Sequence, residues 1–417
     1  MKPFKALLCL SLPALLCVGL CAACSEDSTE EEGPVNVLPF EPAGPTAAPD
    51  PMQMGPFPVG VTTLDLFDES RLDPETQAPR LLRLEIWYPA VQAVAQGPFL
   101  AYDLTAEATP ENVGDLYETV SQADLPLIET RSVRDAEMDR EHSPYPLVFF
   151  SHGSNGVRWQ SIFYTILLAS HGYVVISPDH AGNTIWEIIR DGWDAGTVAV
   201  SAPQRVADME FLLDEFERKN ELSEDFFYHS FDRRKVGITG HSFGGWTTLS
   251  MLCKDDRFKV GVAQAPEIPM AVAYCDFDNI PAPILVMGGT LDSTLRWRDQ
   301  YCGYQSLGGE HQKVLVEIEG AGHFTFSDIC RLDLLSLSEQ LDLGGQAEDA
   351  LNDGCADFNL PFETAQDIIN HYSVAFFNFY LRDAPAAMDV VVDMDEPPFD
   401  ACTLWEGQAP DWPDGGC

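Results

Sequence analysis

Positive charge is what this chain has least of: 24 Lys and Arg stand against 66 Asp and Glu in 417 residues, a formal net charge of −42. Nucleic acids and anionic lipid surfaces are recognised through clustered positive charge, so neither is an expected partner. The acid excess serves solubility first, and it lets neutral or zwitterionic molecules approach more readily than anionic ones. Paired cysteines at metal or redox spacing are also missing. Beyond Cys24 no two cysteines stand as Cys-x-x-Cys, which leaves zinc and thioredoxin-type chemistry without support. No apolar run is long enough to span a bilayer stably; the one near the N-terminus covers only Ala6 to Leu20.

That run belongs to an address. Met1-Lys-Pro-Phe-Lys5 is a short basic region, the apolar stretch follows, and Cys21-Ala-Ala-Cys24 supplies small residues before a cysteine. The segment resembles a bacterial lipoprotein signal covering residues 1–23, with Cys24 as the residue to be lipidated, although Cys21 stands where such signals carry an aliphatic residue. Ordinary cleavage and release is the alternative. Either way the chain is expected to be exported, touching a membrane only through an N-terminal lipid. Residues 24–60 turn to Glu, Asp, Pro and Gly, including Glu30-Glu-Glu32, with little to bury. Such a segment cannot offset its ordering entropy and reads as a solvated tether.

Residues 61–417 suffice for one large core with insertions. Leu81-Leu-Arg-Leu-Glu-Ile-Trp-Tyr88 alternates as an antiparallel strand does. Pro146–Ser151, Tyr173–Ser177, Val236–Thr239, Lys259–Ala263, Ile284–Met287 and Val314–Ile318 are short, nearly continuous apolar runs, as strands buried on both faces require. Between them Val206, Met209, Leu213 and Phe216 recur at helical spacing, and Ile368–Leu381 supplies a last amphipathic helix. The alternation predicts an α/β fold, a mostly parallel central sheet with helices on both faces and ligands at the carboxyl ends of its strands. Residues 99–142 and 324–362 break the pattern and read as insertions over the sheet edge, the second a candidate substrate wall. Of the 11 cysteines, seven follow Cys24. In an exported chain Cys330–Cys355, Cys402–Cys417 and Cys275–Cys302 are the neighbouring pairs that suggest disulfides.

One stretch carries chemistry. Lys235-Val-Gly-Ile-Thr-Gly-His-Ser-Phe-Gly-Gly-Trp246 passes from a β-branched run to glycines around Ser242 and then to an apolar, alcohol-rich helix. A lone G-x-S-x-G arises by chance, but between strand and helix it is a nucleophile elbow, which thrusts the serine hydroxyl out of the sheet. Gly240 and Gly244 stand where a Cβ would collide with the turn. A serine nucleophile needs a base, and the base an orienting acid. Asp292 follows the strand run ending at Met287 and a Gly-Gly-Thr-Leu turn; His323 ends Glu-Gly-Ala-Gly after the next strand run. Asp292 is alternatively a helix N-cap, and Glu267 in Gln264-Ala-Pro-Glu267 is the rival acid. His241 is expected to pack beside the elbow, pointing away from the serine. For the oxyanion, the candidate backbone donors are the N–H of Phe243 and, in Ser151-His-Gly-Ser-Asn-Gly156, the N–H of Ser154, with His152 holding that loop.

These residues resemble the platelet-activating factor acetylhydrolase branch of the α/β-hydrolases, and nearly as much the bacterial cutinases and polyester hydrolases. The matching text is Phe150-Ser-His-Gly-Ser-Asn-Gly-Val-Arg158, Leu168-Ala-Ser-His-Gly-Tyr-Val-Val175 and Gly240-His-Ser-Phe-Gly-Gly245, within a likeness running from about Val61 to Leu381. The acetylhydrolases carry their acid after the strand that ends here at Ala263, the polyester hydrolases after the next, where Asp292 stands. The resemblance implies serine ester hydrolysis with Ser242, His323 and Asp292, on short acyl esters or phospholipid acetyl groups, and requires no metal or cofactor. A polyester or cutin hydrolase is the variant reading, with an open cleft lined by aromatics such as Trp159 and Tyr164. A surface lipoprotein that binds through a hydrolase fold without catalysis is the alternative of another class.

Overall fold

The computed structural model describes residues 49–192, 196–268, 276, 280–309, 311–341, 348, 351–392, 399 and 402–406. The leader, Cys24 and the first part of the expected tether lie outside them, as do Cys275 and Cys417. The remainder of that tether is not free in solvent. Phe57 is buried, its N–H donates to the Ser170 carbonyl at 3.1 Å, and Gly55 lies so close to that carbonyl that a side chain there would strike it. An apolar residue with a slot to fill overrides the proline-rich composition around it.

Two long strands, β1 (Val59–Leu72) and β2 (Pro79–Pro89), pair antiparallel, and β1 alternates inward and outward along its middle as a one-sided strand should. In a separate two-stranded sheet, β3 (Ala101–Tyr102) pairs antiparallel with β4 (Ile128–Glu129). β5 (Ser132–Arg134), β6 (Tyr145–Ser151), β7 (Val174–Pro178), β8 (Phe231–His241), β9 (Phe258–Gln264), β10 (Ile284–Gly289), β11 (Lys313–Ile318) and β12 (Cys402–Glu406) follow. The ten-stranded sheet runs β12-β11-β10-β9-β8-β6-β7-β2-β1-β5. Strands β6 to β11 are parallel, and β6, β7 and β10 are buried along their whole length, which is why they read as apolar runs.

The expected insertion at 99–142 does more than lie over an edge: it extends the sheet, since β5 pairs in parallel with β1. The chain also returns after its last long helix to add β12 antiparallel to β11. Alternate residues of each parallel strand feed two cores. Val148 and Phe150 face one with Ile162, Leu168, Ile368 and Phe377, from helices Ile162–Ser170 and Phe362–Leu381. Leu147 and Phe149 face the other, with Val206, Met209, Leu213 and Phe216 of helix Gly196–Glu221 and Trp246 and Leu249 of helix Phe243–Lys254.

Register decides what meets at the top of the sheet. Ser151 of β6 pairs with Gly240 of β8, His241 with Gln264 of β9, Gln264 with Met287 of β10, and Gly289 with Ile318 of β11. The loops that follow, carrying Ser154, Ser242, Glu267, Asp292 and His323, therefore emerge side by side. Cys330 and Cys355 form a disulfide with Cα atoms 5.2 Å apart; Cys253 and Cys302 each belong to a further disulfide, not to one another's.

Candidate active site

Ser242 occupies the single-residue junction between β8 and helix Phe243–Lys254, at φ 57° and ψ −117°. A non-glycine residue at positive φ costs on the order of 1–3 kcal/mol, so the surroundings must enforce it. They do: the Ser242 N–H donates to the Gln264 carbonyl at 2.8 Å, and its own carbonyl accepts the Trp246 N–H at 3.1 Å. A Cβ on Gly240 would lie 2.5 Å from the Ser151 carbonyl oxygen, and one on Gly244 would run into the same atom. Both glycines are there so that the elbow can press against the end of β6.

The hydroxyl, half-buried, meets the imidazole of His323, with Oγ 2.9 Å from Nε2. On the far side of the ring Nδ1 lies 2.8 Å from Asp292 Oδ2. The consistent protonation has Nδ1–H donating to Asp292 and Nε2 accepting the serine proton. His323 and Asp292 are 2% and 5% exposed, so water does not compete for these bonds. Asp292 serves two ends: Oδ1 accepts the Leu295 N–H at 2.7 Å, as an N-cap would, while Oδ2 also accepts from Gln300 Nε2 at 2.8 Å. No helix starts at Ser293: the next one, Trp297–Ser306, has Arg296 as its N-cap, so Asp292 closes the turn that precedes that helix while it meets the imidazole. Glu267 is half-buried, with burial pushing its carboxyl up, and makes no hydrogen bond or ion pair among the described residues. Here the structure brings Asp292, and not the rival acid, into contact with the base.

His241 does not act on Ser242. Fully buried, its Nε2–H donates to the His323 carbonyl at 2.9 Å, and its Nδ1 accepts from Gln160 Nε2 at 2.9 Å. Gln160 Oε1 in turn accepts the Gly153 N–H at 2.9 Å. With that N–H occupied, the Ser154 N–H is the neighbouring donor left over. Neither it nor the Phe243 N–H has an acceptor among the described residues. A Cβ on Gly153 would sit 3.4 Å from that of Ser242, so the loop lies against the elbow.

Beneath this loop is a buried polar network of which the sequence reading anticipated only His152, as the residue holding the loop. His152 donates from Nδ1 to the Gly153 carbonyl at 2.7 Å and accepts the His180 N–H on Nε2 at 3.0 Å. Arg205 donates to the carbonyls of His152 and Gly153 at 2.6 and 2.9 Å and to Asn183 Oδ1, whose amide donates to Ser154 Oγ at 3.1 Å. The guanidinium also stacks 4.5 Å from the Phe243 ring centroid. Burial pushes Arg205 down to about 9, opposed by nearby Asp208. Asp208 pairs with Arg80 at 2.6 Å and accepts from His180 at 2.9 Å. The signal was present: Arg205 and Asp208 flank Val206 and Met209 on a helix face that is otherwise apolar and buried.

Two aromatics expected to line a cleft do not. Trp159 is 2% exposed, set against Tyr102 with its indole N–H on Glu107, and Tyr164 is wholly buried beside Phe150. The turn that begins helix Ile162–Ser170 directs both under the sheet's covering layer. Among the described residues no group of three or more His, Cys, Asp or Glu is arranged to hold a metal.

Comparison with known proteins agrees with this architecture. The family model described as platelet-activating factor acetylhydrolase, isoform II, matches residues 50–188, and that of the prolyl oligopeptidase family matches 221–301. Platelet-activating factor acetylhydrolase of Cavia porcellus is 28% identical over 268 residues, 57% of this chain and 58% of that protein. Cutinase 2 of Thermobifida cellulosilytica is 25% identical over 188 residues, 44% of this chain and 63% of that one. Thus the chain spans about half to three fifths of the length of the curated acetylhydrolases it matches. A ferulic acid esterase from Streptomyces cinnamoneus superposes with a TM-score of 0.62 at 21% identity, covering 84% of this chain and 96% of that one. The chain has the α/β-hydrolase fold and is similar in sequence to acetylhydrolases and cutinases.

Proposed function

From an α/β-hydrolase fold whose relatives are named as ester hydrolases, we propose that this protein is a serine carboxylic ester hydrolase acting on short acyl esters, phospholipid acetyl groups among them. The observation that carries the reading is the hydrogen-bonded series Ser242 Oγ, His323, Asp292 at 2.9 and 2.8 Å. His323 Nε2 takes the hydroxyl proton as Ser242 attacks the ester carbonyl, and Asp292 holds the imidazole and stabilises its charge. The N–H groups of Phe243 and Ser154 receive the oxyanion. His323 then returns the proton to the leaving alcohol, and water, deprotonated by the same ring, cleaves the acyl-enzyme. The similarity to acetylhydrolases supports a small acyl group. The polyester variant loses its particular support, since Trp159 and Tyr164 lie in the core. A purely binding role has no use for the aligned serine and imidazole.

Hydrolysis of p-nitrophenyl acetate, butyrate and octanoate tests the reading. We expect acetate and butyrate to be preferred, Ser242→Ala to lower kcat at least about 10³-fold, and Asp292→Asn to do nearly as much. Glu267→Gln is expected to stay within about threefold of the parent, because it touches neither Ser242 nor His323. No hydrolysis of any ester by the parent, or a greater loss with Glu267→Gln than with Asp292→Asn, contradicts the assignment.

A further inference from the structure

The acid and the base stand on different loops, Asp292 after β10 and His323 after β11, the second turning through Gly320 and Gly322. Something must hold the loops in register, because the Asp292–His323 contact is short and directional. The partner is a carboxylate from a third segment. Asp353 Oδ1 accepts the Ser293 N–H at 3.1 Å and the His323 N–H at 2.9 Å. Its Oδ2 accepts the Thr294 N–H at 2.8 Å and the Thr294 hydroxyl at 2.6 Å. Its own carbonyl accepts the Phe324 N–H at 2.8 Å. One side chain, 3% exposed, therefore bonds both the residues just after the acid and the backbone of the base.

The fit around it is close. A Cβ on Gly322 would run into the Asp353 carbonyl, and one on Gly354, at φ 143°, would lie 2.6 Å from the Thr325 nitrogen. Burial raises the Asp353 carboxyl, but the His323 N–H, the Thr294 hydroxyl and the Ser293 N–H together hold it below its ordinary value. An anion surrounded by donors alone is the required arrangement, since every hydrogen bond it makes points inward at it. Two residues on, Cys355 is bonded to Cys330, which sits on the turn Asp328–Arg331 that follows the His323–Phe326 turn. The disulfide thus ties the segment bearing Asp353 to the chain that bears the base.

We propose that Asp353 is a positioning residue for the hydrolytic site: delivered by the Cys330–Cys355 tether, its carboxylate clamps the acid-bearing and base-bearing loops together. This rests on the assignment of Ser242, His323 and Asp292 given above. Asp353→Asn is nearly isosteric and keeps an oxygen for His323 and Ser293, but it turns an NH₂ group toward the two Thr294 donors. The clamp then loses its two Thr294 bonds on the acid side and keeps those to Ser293 and His323. Thr294→Val, at an exposed position, removes one bond of the same clamp without touching the core.

The experiment uses the full chain. It measures kcat and KM for p-nitrophenyl acetate together with the low-field proton resonance of His323 Nδ1–H, which reports alignment with Asp292 whether or not turnover occurs. For Asp353→Asn we expect kcat to fall about 10- to 100-fold, as a displacement near 1 Å does. KM should stay within about threefold and the low-field resonance should broaden or disappear. Thr294→Val should lose kcat a few-fold, as should the double change Cys330→Ser with Cys355→Ser. Ser242→Ala should abolish turnover while keeping the resonance, which separates the clamp from the nucleophile. If Asp353→Asn fails to fold, Thr294→Val and the cysteine variant carry the test. If the parent hydrolyses nothing, the ester-hydrolase reading fails, and the resonance in Thr294→Val against the parent decides the clamp. Variants that fold, keep kcat within twofold and keep the resonance overturn it.

Discussion

Replacing Arg205 with methionine keeps the length and apolar stem of the side chain and deletes only its donors. Those donors reach the His152 and Gly153 carbonyls, Ser151 Oγ and Asn183 Oδ1, at 2.6 to 3.2 Å. The Gly153 carbonyl would still accept from His152 Nδ1 and from the Gly156 N–H. The His152 carbonyl and Asn183 Oδ1 would be left buried without these donors, at about 1–3 kcal/mol each. Loss of the stack on Phe243 adds about 1 kcal/mol, and relief from burying the guanidinium offsets part of the total. A net loss of roughly 2–5 kcal/mol follows. With about 2.1 cal/mol/K of unfolding entropy per residue over roughly 350 residues, it lowers Tm by about 3–7 °C. The catalytic effect should be larger in proportion, because Arg205 touches both sides of the proposed oxyanion hole, the Ser154 loop through Asn183 and Phe243 through its ring. Loss of one oxyanion donor costs about 10²–10³-fold in kcat, and that is the range expected for p-nitrophenyl acetate assayed well below the variant's Tm. KM should change little. A variant that melts lower yet keeps kcat within about threefold refutes the reasoning, and leaves Arg205 a structural residue.

Two further outcomes are expected. Burial pushes His171 and His180 down to about 4 and holds His152 and His241 well below their ordinary value. The folded state therefore binds fewer protons than the unfolded one between about pH 6.5 and 4, so stability is present above 6.5 and lost as pH falls. His171 and His180 alone should remove about 3 kcal/mol by pH 5.5, read as a falling Tm between pH 6.5 and 5; a flat Tm there contradicts the buried, neutral histidines. Lipidation at Cys24, carried by the leader composition, should appear as labelled palmitate incorporated by the full chain in a bacterial host and lost in Cys24→Ala; incorporation that survives the substitution excludes that residue.

The parts of the site that could be read from the sequence are those whose signal is local. Ser242 announces itself because strand, glycines and helix are contiguous, and Asp292 and His323 follow because a parallel sheet delivers the ends of successive strands to one edge. Asp292 does not cap a helix, yet its Oδ1 closes the turn before helix Trp297–Ser306 while Oδ2 meets His323 and Gln300, so the local and the orienting bonds do not exclude one another. Trp159 and Tyr164 misled because aromatic character says nothing about which side of a turn faces solvent. Asp353 had no signal at all. It lies 59 residues from Thr294 in sequence, and apart from the Thr294 hydroxyl its partners are backbone N–H groups, which leave no mark on residue type. The edge strands β5 and β12 escaped for a related reason: with neighbours on one side only, they need no continuous apolar run.

The most direct test of the central claim is covalent. A fluorophosphonate probe added to the full chain should label one site, and peptide mapping should put the adduct on Ser242, with labelling absent in Ser242→Ala and slowed steeply in Asp292→Asn. A folded parent that takes up no probe, or an adduct on any residue other than Ser242, contradicts the account.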